Sequence, residues 1–336
     1  MSKVKYLMGR LLRMNYHEMF STAGKLHRKT GKSRLRLLGD MINCGLRYGA
    51  GYKDYMLFEF YGLSPAQRAT YVTRGVNNRI VRLCNDPAWY HCVEDKAEFN
   101  RLYGRFVRRD WLDLHTGTFD DFAEFMDGRE IIISKPLSAT CGKGIEKLYK
   151  GDFDSLRGMY AHLKTSSAGL VEDMIVQHPN VAKLYPGSVN TYRIVTVLRG
   201  DTVGVVCAFI RMGNGGRFVD NINSGGMAAP VDVETGVITH PASDKDGRAY
   251  EVHPVTGCPI LGYPLPCWRE SVDMCMEAAR VVPQLGYVGW DVAVSPDGPQ
   301  LIEGNHFPGH DILQMPPHLP DKIGMLPRFR EYLPEL

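Results

Sequence analysis

The sequence has no long apolar run, no paired-cysteine motif and no signature of the common hydrolases. Its apolar stretches stay well short of the ~20 residues of a membrane-spanning helix, so we expect no such segment. The basic N-terminus lacks an apolar stretch followed by a small-residue cleavage site, and we expect no secretory signal. GxSxG and paired Ser/His patterns are also missing, which argues against serine-hydrolase chemistry.

Cysteine is present but shows no pattern. The eight cysteines include no CxxC pair, and no Cys/His cluster has the spacing of a zinc site. Scattered cysteines of this kind are typical of buried thiols in a reducing cytoplasm, which is where we expect the protein. Cys141 lies in a loop rich in small residues, and we interpret it as an incidental thiol rather than a reactive one.

Charge is ordinary in amount but uneven along the chain. The net charge is +3, with 23% charged and 44% hydrophobic residues, which excludes a disordered chain. Residues 1–50 contain eleven Lys and Arg against two acids, so the rest of the chain carries 29 basic and 35 acidic side chains. The basic residues are dispersed without a nucleic-acid motif, and we expect no nucleic-acid partner. A solvated helix face, a membrane surface, a partner protein and a cover for a sheet stay open as interpretations.

The length of 336 residues predicts about two domains at ~100–200 residues each. Residues 1–85 show helical periodicity, with a helix starting after Ser64-Pro65 over residues 66–74. The next part alternates between helix and strand. We predict helices at 94–105, 152–165 and 268–281, strands at 130–135, 144–149, 169–176, 190–198 and 202–211, and a final hairpin of 287–294 with 300–305.

The final hairpin carries the strongest chemical signal. Asp291 and Glu303 are equidistant from Asp297 at the turn, so a simple hairpin places them opposite each other. Asn305 is two residues further and shares their face. Opposed carboxylates repel, and a divalent cation resolves the repulsion; three oxygen ligands favour Mg²⁺ or Mn²⁺ over zinc. The alternative is a solvent-facing acidic edge, which the apolar neighbours disfavour.

A second signal follows the strand at 130–135. Lys135 ends that strand, and a loop of small residues containing Ser138, Gly142, Lys143 and Gly144 comes next. Such a loop can close backbone N–H groups over phosphate oxygens while Lys135 neutralises their charge. It is not a Walker loop, because GxxxxGK[ST] is absent. A flexible hairpin tip is the alternative.

Charged residues on apolar strands form a third signal. Glu172 and Asp173 need buried partners, for which the adenine amino group and a structural ion pair are the candidates. Arg193 and Arg211 need anions, either a ligand phosphate or carboxylate or a structural acid. Asn221 stands before a Gly-Gly turn that permits close backbone approach to a ligand.

Taken in order, these features resemble the ATP-grasp superfamily over about residues 90–310. The resemblance implies an α+β fold in which two subdomains clamp ATP, here residues 86–178 and 179–336, behind the helical segment 1–85. It also implies site roles: phosphate-binding lysines Lys96 and Lys135, a lid at 138–144, an adenine hinge from Glu172 and Asp173 to Ile175, an R…N…GG set of Arg211, Asn221 and 225–226, and a magnesium set of Asp291, Glu303 and Asn305.

Residues 177–196 and 220–226 are similar to the sugar-transfer-associated ATP-grasp family. Two departures stand out. The helical segment replaces the usual α/β domain ahead of the ATP-grasp fold. Gly289 stands where D-alanine–D-alanine ligase relatives have an arginine, and Arg193 or Arg211 can supply that charge instead.

The resemblance implies an ATP- and Mg²⁺-dependent carboxylate–amine ligase that works through an acyl phosphate, with a small-molecule carboxylate and amine as substrates, in glycan or natural-product biosynthesis. Arg193, Arg211 and Asn221 would act on the transferring phosphoryl group. A kinase with Asp220 or His310 as general base is the alternative. A non-catalytic nucleotide-binding module is the third. The sequence specifies neither the acceptor nor an oligomeric state.

Overall fold

The computed structural model describes residues 15–138, 144–215, 222 and 225–336. Gly142, Lys143 and Asn221, which have predicted roles, lie outside these ranges, as do Cys141 and Asp220. Within the described part the fold is α+β, as predicted, with a helical segment followed by two antiparallel sheets. No helix in these ranges combines the length and apolar character that crossing a membrane requires.

The N-terminal segment is helical, as predicted. Its helices are α1 (Tyr16–Thr30), α2 (Arg34–Tyr48), α3 (Tyr52–Leu57), α4 (Pro65–Arg68) and α5 (Arg74–Cys84). Side-chain caps at Asn15 and Ser33 start the first two helices, and left-handed Gly31 and Gly49 end them.

The single helix predicted over 66–74 is wrong. The chain leaves α4 after Arg68 and starts α5 only at Arg74, behind a cap in which the Thr73 hydroxyl accepts from Val76 N–H. The buried Gln314 amide pairs with both backbone groups of Val72, at 2.9 and 2.8 Å. This partner is 242 residues away in the chain, so local periodicity could not predict the break.

The smaller sheet has four strands in the order β1-β4-β2-β3 and is backed by two helices. Its strands are β1 (Trp111–Asp113), β2 (Ile131–Lys135), β3 (Glu146–Tyr149) and β4 (Leu170–Asp173). The helices before, within and after it are α6 (His91–Glu94), α7 (Lys96–Leu102), α8 (Gly104–Val107), α9 (Phe119–Phe125), α10 (Leu156–Thr165) and α11 (Pro179–Ala182). The helix predicted over 94–105 is therefore divided at Tyr103, and the strand predicted to reach 176 ends at Asp173.

The larger sheet has seven strands in the order β11-β10-β5-β6-β7-β8-β9. They are β5 (Thr191–Arg199), β6 (Thr202–Met212), β7 (Met227–Pro230), β8 (Ala242–Ser243), β9 (Ala249–Tyr250), β10 (Tyr287–Ser295) and β11 (Gly298–Asn305); helices α12 (Trp268–Ala278) and α13 (Leu326–Arg330) complete the fold. The central strands are buried on both faces, because one apolar cluster containing α12 covers one face and a second, containing α13, covers the other. This explains the nearly continuous apolar runs in β5 and β6.

Part of the N-terminal segment covers the larger sheet. Ile80 and Val81 of α5 pack in the second cluster, against the face that carries Arg193 and Asp291. Asn77 of the same helix donates to the Pro308 carbonyl at 3.0 Å, just beyond the final hairpin. Helix α5 therefore covers one face of the larger sheet.

Candidate active site

The final hairpin brings Asp291 and Glu303 opposite each other, as predicted. The strand pairing that does so differs from the regular hairpin on which the prediction was based. The turn is tight, with Ser295 paired to Gly298, and regular pairing from there would set Asp291 against Ile302. A register shift between Asp291 and Val292 adds one residue on β11 and restores the Asp291–Glu303 pair.

Asp291 is fully buried and held by two arginines. Arg193 contacts it through Nε and Nη2, the latter at 2.9 Å from Oδ2, and Arg211 Nη2 lies 2.8 Å from the same oxygen. Burial alone raises the pKa of a carboxyl, but here the two guanidinium charges outweigh it and lower the pKa of Asp291 to about 2. In the structure, the anion beside Arg193 and Arg211 is therefore the structural acid Asp291.

Glu303 and Asn305 lie beside Asp291 on one face. Asn305 Nδ2 lies 3.4 Å from Glu303 Oε1, and Glu303 pairs directly with Asp291 across the two strands. Burial and the adjacent Asp291 charge both raise the pKa of Glu303. The arginines thus compensate one carboxylate but not the second, and the remaining oxygen donors suit a hard divalent cation such as Mg²⁺.

Gly289 leaves room for the Arg193 side chain. A Cβ at position 289 would lie 3.1 Å from Arg193 Cδ and 3.3 Å from Pro308 Cβ. Gly289 pairs with Asn305 on β11 and with Val195 on β5, so it lies in the middle of the site. Arg193, on the neighbouring strand, therefore occupies the space that a side chain at position 289 would need.

Lys135 and Glu172 form a buried ion pair across neighbouring strands of the smaller sheet. Glu172 also contacts Arg109, whose Nε lies 3.0 Å from Oε2. Burial raises the pKa of Glu172, but the charges of Arg109 and Lys135 outweigh that effect and lower it. Of the two partners considered for Glu172, the structure therefore has the ion pair.

Lys96 begins α7 and lies near acids of both sheets, Glu303 of the larger and Glu172 of the smaller. Its backbone N–H donates to the Leu137 carbonyl at 3.2 Å and its Nζ donates to the same oxygen at 3.3 Å. Burial lowers the pKa of Lys96, Glu303 raises it and Lys135 lowers it further. The side chain therefore lies within electrostatic reach of the final hairpin and of the smaller sheet.

The remaining predicted residues lie around these groups. Asp173 contacts Arg129, with Oδ1 2.6 Å from Nε. Ile175 borders a cavity of about 290 Å³ between the end of β4 and the hairpin turn. Ser138 is exposed, and Gly144 has a φ of +71° with Pro136 packed where a Cβ would stand.

Comparison with known families decides the identity of this fold. The sequence model of the sugar-transfer associated ATP-grasp family matches residues 146–328, more than half of the chain. The chain belongs to that family. No curated protein matches it.

Several solved structures are similar to this ATP-grasp chain. The ATP-grasp ligase PsnB, complexed with a minimal precursor, is 15% identical with a TM-score of 0.41, covering 67% of this chain and 56% of its own. D-alanyl-alanine synthetase A from Vibrio cholerae O1 biovar eltor is 14% identical at 0.42, covering 72% and 60%. D-alanine–D-alanine ligase from Bacillus anthracis is 15% identical at 0.43, covering 77% and 73%. The chain thus spans little more than half of PsnB, and its function is argued below from its own residues.

Some residues around the ATP-grasp site were missed by the sequence reasoning. Arg109 donates to the Leu301 carbonyl at 2.6 Å as well as contacting Glu172, so it joins the two sheets. Asn85 donates to the His306 carbonyl at 2.7 Å, and Asp54 lies 3.1 Å from His310 Nε2. Their sequence signal is only that of polar residues near apolar segments, which does not identify a partner.

Proposed function

We propose that this chain is an ATP- and Mg²⁺-dependent ligase that joins a carboxylate to an amine through an acyl phosphate. The observation that carries the proposal is the face formed by Asp291, Glu303 and Asn305, with Arg193 and Arg211 beside it. Opposed acids and convergent guanidiniums on one face of the sheet suit phosphoryl transfer, in which negative charge must be held and neutralised.

Asp291, Glu303 and Asn305 would hold Mg²⁺ through oxygen atoms. Their fit rests on the strand register that sets Asp291 opposite Glu303, and on Asn305, whose Nδ2 lies 3.4 Å from Glu303 Oε1. A bound ion would supply positive charge that neutralises the phosphate groups of ATP. Manganese has the same ligand preference and would bind the same atoms.

The other residues would bind and orient ATP. Lys96 and Lys135 neutralise phosphate oxygens, with Ser138, Gly142, Lys143 and Gly144 closing over them and excluding water. Residues 172–175, including Asp173 and Ile175, border the adenine, next to the 290 Å³ cavity. Arg193, Arg211 and Asn221 act on the transferring phosphoryl group.

The reaction needs no side-chain nucleophile. The substrate carboxylate attacks the γ-phosphorus in line and ADP leaves, giving an acyl phosphate. The amine then attacks the carbonyl carbon, phosphate leaves and the amine loses a proton, so the products are an amide, ADP and phosphate. Residues 86–178 and 179–336 would clamp ATP between them, and the substrates belong to glycan or natural-product biosynthesis.

Phosphorus NMR tests the proposal. Purified protein is incubated with Mg-ATP and a small-molecule extract of its host, with and without hydroxylamine. We expect free phosphate only with the extract, and a hydroxamate when hydroxylamine is present. A new phosphomonoester without free phosphate would identify a kinase and overturn the proposal.

Matched variants test whether phosphate release depends on the proposed magnesium site. Glu303→Gln keeps the size of the side chain and should lower phosphate release by ~100-fold or more, as expected when a group that holds transition-state charge is removed. Glu331→Gln changes an exposed acid paired with Arg328 and should leave the rate unchanged. Full activity of Glu303→Gln would refute the magnesium assignment.

A further inference from the structure

A second group of metal-binding side chains lies outside the ATP site. His91 and Cys92 of α6 and Glu98 of α7 place one ligand atom each within 4.8 Å of the other two. The His91 Nε2–Glu98 Oε1 distance is 3.3 Å, and the Cys92 sulfur lies 3.6 Å from His91 Nε2 and 3.9 Å from Glu98 Oε1. The sequence shows no sign of this group, because the positions of the three residues match no standard cysteine–histidine zinc motif.

The three distances match the edges of a tetrahedral zinc site. Zinc bonds of about 2.0–2.2 Å to nitrogen and oxygen and 2.3 Å to sulfur, at tetrahedral angles, separate N and O by about 3.4 Å and sulfur from either by about 3.6 Å. The observed edges differ from these values by at most about 0.3 Å. The three ligand atoms are therefore spaced as a tetrahedral ion requires.

The exposure of the three side chains suits an ion arriving from solvent. Cys92 is buried, whereas the side chains of His91 and Glu98 are 54% and 35% exposed. The solvent side leaves a fourth position for water. A simple ion pair accounts for His91 and Glu98 alone, but it does not account for a thiol directed at both of them.

We propose that His91, Cys92 and Glu98 bind one zinc-class divalent cation. Nitrogen and sulfur donors distinguish this site from the oxygen donors of Asp291 and Glu303, so the two sites select different metals. The ion would join α6 to α7 across Asp95, which caps α7 through the Glu98 N–H. It would thereby fix the start of the helix that carries Lys96, a positioning effect on the ATP site.

Cobalt provides a spectroscopic test on the full-length protein. Chelator-treated, reduced protein is titrated with Co²⁺ and then with Zn²⁺. We expect thiolate-to-cobalt charge-transfer absorption and tetrahedral d–d bands that saturate at one equivalent and disappear when Zn²⁺ displaces Co²⁺. Absence of the charge-transfer band in the wild-type protein would overturn the proposal.

Variants identify the ligands. Cys92→Ser should abolish the charge-transfer band, and His91→Asn should weaken Zn²⁺ binding by more than ~100-fold, beyond the 10–100-fold typical of losing an outer-shell partner. His91→Asn also covers the case in which the buried Cys92 variant fails to fold, because His91 is exposed. Cys258→Ser and His162→Asn are matched controls: Cys258 is partly exposed elsewhere, and His162 lies 3.7 Å from Glu146. A band that survives in folded Cys92→Ser, or unchanged Zn²⁺ affinity in His91→Asn, would refute the assignment.

Discussion

Asp291 and Glu303 face each other across the final hairpin only because a β-bulge shifts the register of β10 and β11 by one residue. With regular pairing, Asp291 would oppose Ile302 and the Glu303 side chain would point to the other face of the sheet. The bulge therefore creates the pair of acids on which the proposed magnesium site depends. It also explains why Glu303 lies directly opposite the buried acid Asp291, an arrangement that is unfavourable until a cation is present.

Glu303→Gln should lose Mg-ADP binding while keeping the stability of the protein alone. Removing one of two opposed carboxyls should keep or raise the melting temperature of the protein alone. Mg-ADP should raise the melting temperature of the wild-type protein but not that of the variant, because a ligand stabilises only a state that binds it. Thermal unfolding with and without Mg-ADP measures both effects. Equal stabilisation of the two proteins would contradict the role of Glu303.

Arg193→Ala should be strongly destabilising. It removes one of the two cations that compensate the buried Asp291 charge, and breaking a buried ion pair costs about 3–5 kcal/mol. Because Arg211 still contacts Asp291, we expect the lower end of that range. Urea unfolding provides the measurement. Arg269→Ala, which breaks an exposed pair with Asp273, is the control and should change stability by less than about 1 kcal/mol.

Glu172→Gln tests whether this acid holds cations or adenine. Both carboxylate oxygens contact cationic side chains, so the variant should lose about 3 kcal/mol of stability and bind adenosine as the wild type does. Asp273→Asn, whose acid contacts the exposed Arg269, is the control and should change neither stability by more than about 1 kcal/mol nor adenosine binding. Urea unfolding and adenosine calorimetry distinguish the two roles. Retained stability with lost adenosine binding would instead favour an adenine contact.

Gly289→Ala should disturb Arg193 rather than the backbone. The added methyl group lies 3.1 Å from Arg193 Cδ, so the guanidinium must move relative to Asp291. We expect phosphate release to fall by about tenfold, corresponding to ~1.4 kcal/mol, while the fold is kept. Gly39→Ala is the control, since nothing lies within 4 Å of that position on α2 and alanine favours helix by about 1 kcal/mol. An unchanged rate of phosphate release in Gly289→Ala would show that Arg193 accommodates the added methyl group without moving away from Asp291.

His318 should make stability depend on pH. Burial lowers the pKa of this imidazole to about 4, below its ordinary value of 6.5. The unfolded chain then binds more protons between those values, so stability is lost as pH falls from 6.5 towards 4. Between pH 7.5 and pH 5 the contribution is about 2 kcal/mol. His318→Gln should reduce the pH dependence of urea unfolding by that amount, whereas exposed His17→Gln should not. If the unfolding free energy of the wild type and of both variants changed equally with pH, burial would not lower the pKa of His318.

The sequence predicted most elements of the larger sheet to within two or three residues. β5, β6 and the final hairpin have long apolar or β-branched runs bounded by turn residues, and these signals are local. One prediction was wrong because a distant partner decides the backbone: the Gln314 amide breaks the helix predicted over 66–74. The helix predicted over 94–105 is also divided, at Tyr103.

For the site, the sequence by itself determined which residue types and which order are present: the acids of the final hairpin, Lys135 after its strand and arginines within apolar strands. These follow from spacing and strand alternation, which are properties of the chain. Only the tertiary structure decided the partners. Asp291 is 98 residues from Arg193 and 80 from Arg211, and Glu172 meets Arg109 across the protein interior. Buried charges must be compensated by whatever the fold brings near, and local sequence carries no information about that choice.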